Sequence, residues 1–536
     1  MRTGGIIGIA LVGLGISLAS CTGNQTGGYD AQKEYYTEQY RPQFHFSPDS
    51  MWMNDPNGMV YYDGEYHLFY QHHPRSNVWG PMHWGHAIST DLIHWEHLPI
   101  ALYPDSLGTI FSGSAVIDWN NTSGLGSKSN PPMVSIFTHH NQALAETGSD
   151  LFQYQSIAYS LDKGRSWTKY SENPVLPNPG IRDFRDPKVS WYEKEQKWIM
   201  VLAAQDRIMF YSSPDLIRWS RESEFTAQRA PDEGVWECPD FFPLSYGEEE
   251  RWVLLVSIGG GGPHGGSGTK YYVGDFDGKQ FSCSDPDCTA RWLDFGKDNY
   301  AGVTWSDIPD KDGRRIFLGW MSNWQYANQV PSERWRSAMT LPRELKLDRD
   351  HMGYLLRSVP VTETEELRKD RAGLEPGQVG ERFRQHAGPL VEDAYPLFEI
   401  DLTFEYDTGV TDESVLREGL EFGIILESAR HETVLAGFNT KTQKIHLSRL
   451  ENSGKSDFSP HFTVFHQVPY EPSARGEIRF HMYVDLSSVE LFVDQGARVI
   501  TQLVYPESGF DSILLYASHP SIQLKEGGIY RLGRIW

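Results

Sequence analysis

Short runs of alternating apolar and polar residues, cut by Gly, Asn, Asp and Pro, constrain this chain more than any other feature. The stretch from Gly58 to Tyr70 reads as two strands joined at Asp63-Gly64, a dipeptide that supplies the positive backbone angles of a tight hairpin. The same pattern returns at 189–202, 252–258, 270–275 and 314–320, with no three-turn amphipathic pattern between them. Up to about residue 340 the chain is therefore read as all-β. A weak repeat sharpens this: Ser89, Asp91 and Trp95, then Ser160, Asp162 and Trp167, then Ser213, Asp215 and Trp219. Its spacing suits four-stranded propeller blades. Ser and Asp are expected to bond turn amides while Trp packs beneath the hairpin, a structural role.

The segment 358–386 is charged and carries Pro360 and Pro376, so it is expected to be a linker with a short helix or coil. Alternation resumes at 397–406, 420–426, 478–484 and 488–493, the pattern of a β-sandwich. The expected division is a signal peptide over 1–20, a flexible tether over 21–40, a propeller over 41–357, a linker over 358–386 and a sandwich over 387–536.

The apolar run from Ile6 to Ala19 follows Arg2 and is short for a membrane span but suits a signal peptide. It ends in Leu18-Ala19-Ser20-Cys21, which resembles the lipobox of bacterial lipoproteins. That resemblance implies cleavage before Cys21, a lipid on Cys21, and export to a bacterial membrane, with the polar residues 22–39 as a spacer. The remaining cysteines, Cys238, Cys283 and Cys288, are an odd number that cannot all pair within the chain, and Cys283 and Cys288 are close enough to bridge one loop. No metal is expected, because this Cys pair lacks nearby His ligands and neither His72-His73 nor His139-His140 has a third ligand at useful spacing. Lys and Arg number 48 against 71 Asp and Glu, a net charge of −23. That excess disfavours nucleic acid and acidic polymers and favours a neutral substrate. The Gly-rich loop 259–268 contains a formal G-x-G-x-x-G from Gly260, but a strand follows it where a dinucleotide site needs a helix. No cofactor is expected.

Three motifs carry carboxylates in rigid turns: Trp52-Met53-Asn54-Asp55-Pro56-Asn57-Gly58, Arg182-Asp183-Phe184-Arg185-Asp186-Pro187, and Trp236-Glu237-Cys238-Pro239-Asp240. Each alone reads as a turn or a surface pair. In this order, and with Gln71, Trp79, Phe111-Ser112-Gly113-Ser114 and Gly319-Trp320-Met321-Ser322-Asn323-Trp324, they resemble glycoside hydrolase family 32, the fructosidases that include invertases, inulinases and levanases. The resemblance runs from about Pro42 to the C-terminus and implies a five-bladed β-propeller followed by a β-sandwich. It implies Asp55 as nucleophile, Glu237 as general acid/base and Asp186 as a stabiliser of the transition state. A retaining glycosidase needs one ionised and one protonated carboxyl group, which fits this division. Asn54 is expected to hold the Asp55 pKa low, and Arg185 to keep its neighbour Asp186 ionised. Asn54, Gln71, Ser112 and Arg185 resemble positions that bond the terminal fructose, and Trp79, Phe111 and Trp324 positions that wall it.

The resemblance therefore implies an exo-acting hydrolase of levan or inulin, and of sucrose, with the Gly-rich loop resembling one found in exo-acting members. Three competitors differ in kind. An invertase or fructosyltransferase of the same family uses the same residues. A non-catalytic fructan-binding lipoprotein is opposed by the presence of all three carboxylates. A sialidase is suggested only by the structural Ser160–Trp167 box and needs an arginine cluster that the acidic charge balance disfavours.

Overall fold

The computed structural model describes residues 36–227, 233–379, 383–386, 396–472 and 476–536. The expected signal peptide, Cys21 and residues 21–35 of the expected tether lie outside them. From Met51 to Pro360 the chain forms five successive sheets, each built on four antiparallel strands. Their first strands are Met51–Tyr62, Thr109–Ile117, Phe184–Tyr192, Trp236–Tyr246 and Tyr300–Thr304. Each touches the first strands of the blades on either side, so the five close around one axis as a propeller. The ring is fastened by parallel pairing of Met51 and Trp52 with Trp335 and Arg336.

The repeat sits where the third strand of a blade turns into the fourth, in the first three blades. In the first copy the Ser89 hydroxyl donates to Asp91 (3.0 Å), whose Oδ1 accepts the amides of Ile93 (2.9 Å) and His94 (2.8 Å). Asp215 takes the amides of Ile217 (3.1 Å) and Arg218 (2.8 Å) in the same way. Trp167 and Trp219 are part-buried beneath their turns and donate to Gly164 and Leu216 carbonyls. These side chains satisfy turn backbone groups that no ladder reaches.

The second domain stacks a seven-stranded on a six-stranded sheet. Alternation in Glu477–Asp485 sends Ile478, Phe480, Met482 and Val484 into a core shared with Phe404, Phe422 and Phe438. Each such burial contributes about 1.5–3 kcal/mol.

Two expected boundaries change. Residues 358–386 are not one linker: Gly353–Pro360 is the outer strand of the fifth blade, and Arg368–Gly373 already pairs with Ile522–Leu532 of the sandwich. Only the short 3₁₀ turn Thr362–Leu367 separates the two domains. The charges that suggested a linker lie on a sheet edge, where Arg368 forms a two-pronged pair with Glu399 (2.6 Å to each oxygen). Nor does the tether reach residue 40, because Tyr36 and Tyr40 are buried and Tyr36 stacks on Trp536 at 4.2 Å.

A buried charge network joins the domains. His45 lies 2.8 Å from Asp485 and 2.8 Å from Glu490, and Arg343 bonds both Glu490 and Asp294 (2.9 Å to Asp294). Cys283 and Cys288 form a disulfide, while Cys238 is a buried free thiol.

Candidate active site

One irregularity recurs in all five inner strands and builds the site. Each carries one extra residue relative to its neighbour, between Met53 and Pro56, Ile110 and Gly113, Arg185 and Lys188, Glu237 and Asp240, and Tyr300 and Val303. Such bulges break the alternation and re-aim side chains. They present Asn54-Asp55, Phe111-Ser112, Asp186, Cys238 and Ala301 at the same end of the axis. Asp186 (φ 65°), Cys238 (φ 43°) and Ala301 (φ 54°) hold left-handed backbone angles there, a conformation that side chains adopt at a cost and that clusters at functional sites.

The bulges surround a cavity of about 460 Å³. Asn54, Asp55, Gln71, Trp79, Phe111, Ser112, Arg185, Asp186, Glu237 and Trp324, the ten expected positions, all line it. Asp55 accepts from Asn54 Nδ2 (2.9 Å) and the Ser112 hydroxyl (2.7 Å), and Asn54 is held in turn by Trp52 Nε1 (2.7 Å). Arg185 donates to Glu237 Oε1 through Nε (3.1 Å) and Nη2 (3.0 Å), and to Asp183 through Nη1 (2.7 Å). The Tyr300 hydroxyl donates to the other Glu237 oxygen. Asp186 accepts the Cys238 amide (3.0 Å). The Cys238 thiol stands between two carboxylates, 3.5 Å from Asp55 Oδ2 and 3.6 Å from Asp186 Oδ2.

Electrostatics overturns two expectations. Burial pushes the Asp55 carboxyl above its ordinary range; the bonds from Asn54 and Ser112 oppose this, and the Glu237 charge adds to it. Hydrogen bonds to a carboxylate do not restore the hydration removed by full burial. Asp186 is pushed up to about 7, chiefly by burial, with Arg185 pulling down and Glu237 and Asp55 pushing up. Arg185 does not hold Asp186 ionised, because its donors are committed to Glu237 and Asp183 and Asp186 is 4.0 Å away. Burial also raises the Cys238 thiol well above its usual range, so it stays a donor.

Gln71 is buried, lines the cavity, and its Nε2 has no partner among the described residues, as suits a donor for a polar ligand. Trp79 is 44% exposed at the mouth, held through its amide by Asn328 (2.9 Å). Trp324 packs on Trp52 (6.1 Å) and Trp320 (4.8 Å), and its amide donates to the Ser267 hydroxyl (3.2 Å). The Gly-rich loop thus supports a cavity wall. Gly266 takes φ +78°, and a Cβ there would come within 2.3 Å of Asn323, so the loop needs a glycine to lie this close.

Sequence reasoning missed Tyr300, His140 and the short helix α1 (Gln142–Glu146), whose Gln142 and Ala145 line the cavity. Tyr300 carries no local motif, and the adjacent His139-His140 suggests in sequence only a metal pair. Among the described residues no group of three or more His, Cys, Asp or Glu is placed to hold a metal ion. What the cavity offers is three carboxyl groups in contrasting environments, hydrogen-bond donors for hydroxyls, and aromatic walls, a set suited to acid/base and nucleophilic work on a neutral, polyhydroxylated ligand.

Comparison with known proteins agrees with this chemistry. Residues 45–358 match the glycosyl hydrolases family 32 N-terminal domain, and residues 363–530 match the glycosyl hydrolases family 32 C terminal domain. A levanase of Bacillus subtilis (strain 168) is 46% identical over 509 residues, covering 94% of this chain and 72% of that protein. An extracellular exo-inulinase of Aspergillus ficuum is 38% identical over 511 residues, covering 88% and 91%. The crystal structure of exo-inulinase from Aspergillus awamori superposes with a TM-score of 0.82 at 35% identity, covering 94% of this chain and 100% of that one.

Proposed function

Because this chain belongs to glycosyl hydrolase family 32, we propose that it is an exo-acting fructan β-fructosidase, releasing terminal fructose from levan or inulin with retention of configuration. The observation that carries this is the gathering of Asp55, Asp186 and Glu237 in one cavity with aromatic walls and a Gln71 donor that has no partner among the described residues.

In the first step Asp55 attacks the anomeric carbon of the terminal fructosyl ring. The glycosidic C–O bond breaks, its electron pair stays on the departing oxygen, and Glu237 supplies that oxygen with a proton. In the second step water attacks the same carbon, Glu237 takes the proton from water, and the bond to Asp55 breaks. Two inversions give net retention. Arg185 and Tyr300 hold the two oxygens of Glu237 in place, which is how a rigid site favours the reacting geometry. Asp186 accepts ring hydroxyls, and Asn54, Gln71 and Ser112 orient the ring. The Aspergillus ficuum relative, named as extracellular, supports export, and the lipobox-like Leu18–Cys21 supports a lipid on Cys21.

Incubation of the protein from Thr22 onward with levan, inulin and sucrose, with products resolved over time beside Asp55→Ala and Glu237→Ala, tests the reading. Free fructose from the earliest time point is expected, with losses of at least about 10²–10⁴-fold in both variants. A ladder of oligosaccharides refutes exo-action, and tight fructan binding without turnover refutes catalysis. Labelling of the full-length chain with a radioactive fatty acid, lost in Cys21→Ser, tests the anchor.

A further inference from the structure

A second cavity, of about 440 Å³ against about 460 Å³ for the catalytic one, lies between the fourth and fifth blades and shares no lining residue with it. It is lined from the strands Glu249–Ile258 and Gly268–Phe276, from the loop that the Cys283–Cys288 disulfide closes, and from the hairpin turn 349–354. Arg251 pairs with Leu244 in the same ladder that pairs Ser257 with Glu237. At roughly 3.3 Å per strand residue, Arg251 therefore stands about 20 Å along its strand from the catalytic end.

Three arginines face this second cavity, each fixed differently. Arg291 bonds both oxygens of Asp350 (3.0 Å to Oδ1) and donates to the Tyr354 carbonyl (2.7 Å). Arg251 reaches Glu249 (3.2 Å) and Asp275 (3.5 Å) through its terminal nitrogens. Its Nε is buried without a hydrogen-bond partner among the described residues, a deficit that an accepting ligand removes. Arg349 is exposed and stacks 4.2 Å over the Tyr354 ring. Glu249, Asp275, Asp285 and Asp350 offset these three cations, so the site holds no positive excess for an anion. Pro286, Met352 and the disulfide add apolar surface. Guanidinium donors, carboxylate acceptors and apolar walls in one concave site match a neutral, hydroxyl-rich ligand.

We propose that this cavity between the fourth and fifth blades is a second fructan site, which holds an interior stretch of the polymer apart from the catalytic cavity. This rests on the exo-fructosidase reading. An exo-acting cavity accepts only a chain end, whereas a long fructan is mostly interior units, so a site for the interior captures polymer more often than the catalytic cavity does alone. Once a chain is held, its end meets the catalytic cavity at the effective concentration that the intervening sugar chain sets. A disaccharide cannot span the two cavities, so sucrose gains nothing from the second.

The test uses the protein from Thr22 onward with two substitutions at exposed lining positions: Arg349→Ala removes a guanidinium, and Ser284→Trp fills the cavity. In an Asp55→Ala background, which leaves the polymers intact, electrophoresis through gels containing levan or inulin reads binding. Each variant is expected to raise the apparent dissociation constant for at least one polymer about fivefold. With Asp55 restored, kcat/KM on that polymer is expected to fall about threefold, while kcat/KM on sucrose stays unchanged and reports that the variant is folded. Unchanged retardation in either variant, or equal losses on polymer and sucrose, overturns the second site. Failure of the folded wild-type protein to hydrolyse levan, inulin or sucrose overturns instead the reading on which the second site rests.

Discussion

Arg185 grips Glu237, fifty-two positions away in the chain, and not Asp186 beside it. Bonds of 3.1 Å from Nε and 3.0 Å from Nη2 converge on the single oxygen Glu237 Oε1, while Asp186 Oδ2 stands 4.0 Å from the guanidinium. Two donors on one oxygen leave the other to the Tyr300 hydroxyl, so the arginine acts mainly on the group that must exchange a proton.

Replacing this fork by a point charge separates orientation from electrostatics. Arg185→Lys is expected to fold normally and to lose about 10²-fold in kcat/KM, because lysine cannot bond Glu237 and Asp183 in one plane. Arg185→Met leaves Glu237 and Asp183 without their cation and is expected to lose about 3 kcal/mol of stability as well. Urea midpoints measured beside steady-state kinetics separate the two effects.

Tyr300 holds the second oxygen of Glu237. Tyr300→Phe keeps the ring and removes only the hydroxyl. Loss of the bond frees the carboxyl that must deliver the proton from its reacting position, so kcat is expected to fall about 10- to 100-fold with KM little changed. A fall in KM-dependent binding alone, with kcat intact, would remove Tyr300 from the positioning of Glu237.

Asp186 contributes a stability cost that depends on pH. Burial pushes its pKa up to about 7 from the ordinary 3.8. Between those values the folded state binds more protons than the unfolded state, so this group's contribution to stability falls as pH rises from about 4 to 7 and is constant above. Asp186→Asn removes that slope. Thermal melts at pH 5 and pH 8 are expected to show the variant gaining about 1–3 kcal/mol on wild type at the higher pH, while its activity is lost.

His45 carries the opposite sign. Despite burial, which works against the charged ring, bonds to Asp485 and Glu490 raise its pKa to about 9 from 6.5. The stability this adds is fully present below about 6.5 and is lost as pH rises through 9. His45→Gln keeps much of the shape and removes the titration. Melting temperatures followed from pH 6 to 10 are expected to fall in wild type by an amount that the variant does not show.

The sequence by itself determined the all-β alternation, the blade turns and the order of the three carboxylate motifs. Each of these is local: a Ser and an Asp that cap turn amides two or three residues away, or a Pro-locked turn that presents one carboxyl group. Its ten site positions share one cavity because a bulge recurs at the same level in five strands. Only the tertiary structure decided the partnerships across the axis. Arg185 and Tyr300 meet Glu237 from 52 and 63 residues away, and α1 becomes a cavity wall only when its blade takes its place in the ring. The same holds for pKa: Asn54 beside Asp55 suggested a low value, but closure of the propeller buried the carboxyl, and burial outweighs two hydrogen bonds. The domain boundary moved for a related reason, since a charged segment reads as linker until the strand beside it is known, and Ile522–Leu532 arrives from the far end of the chain.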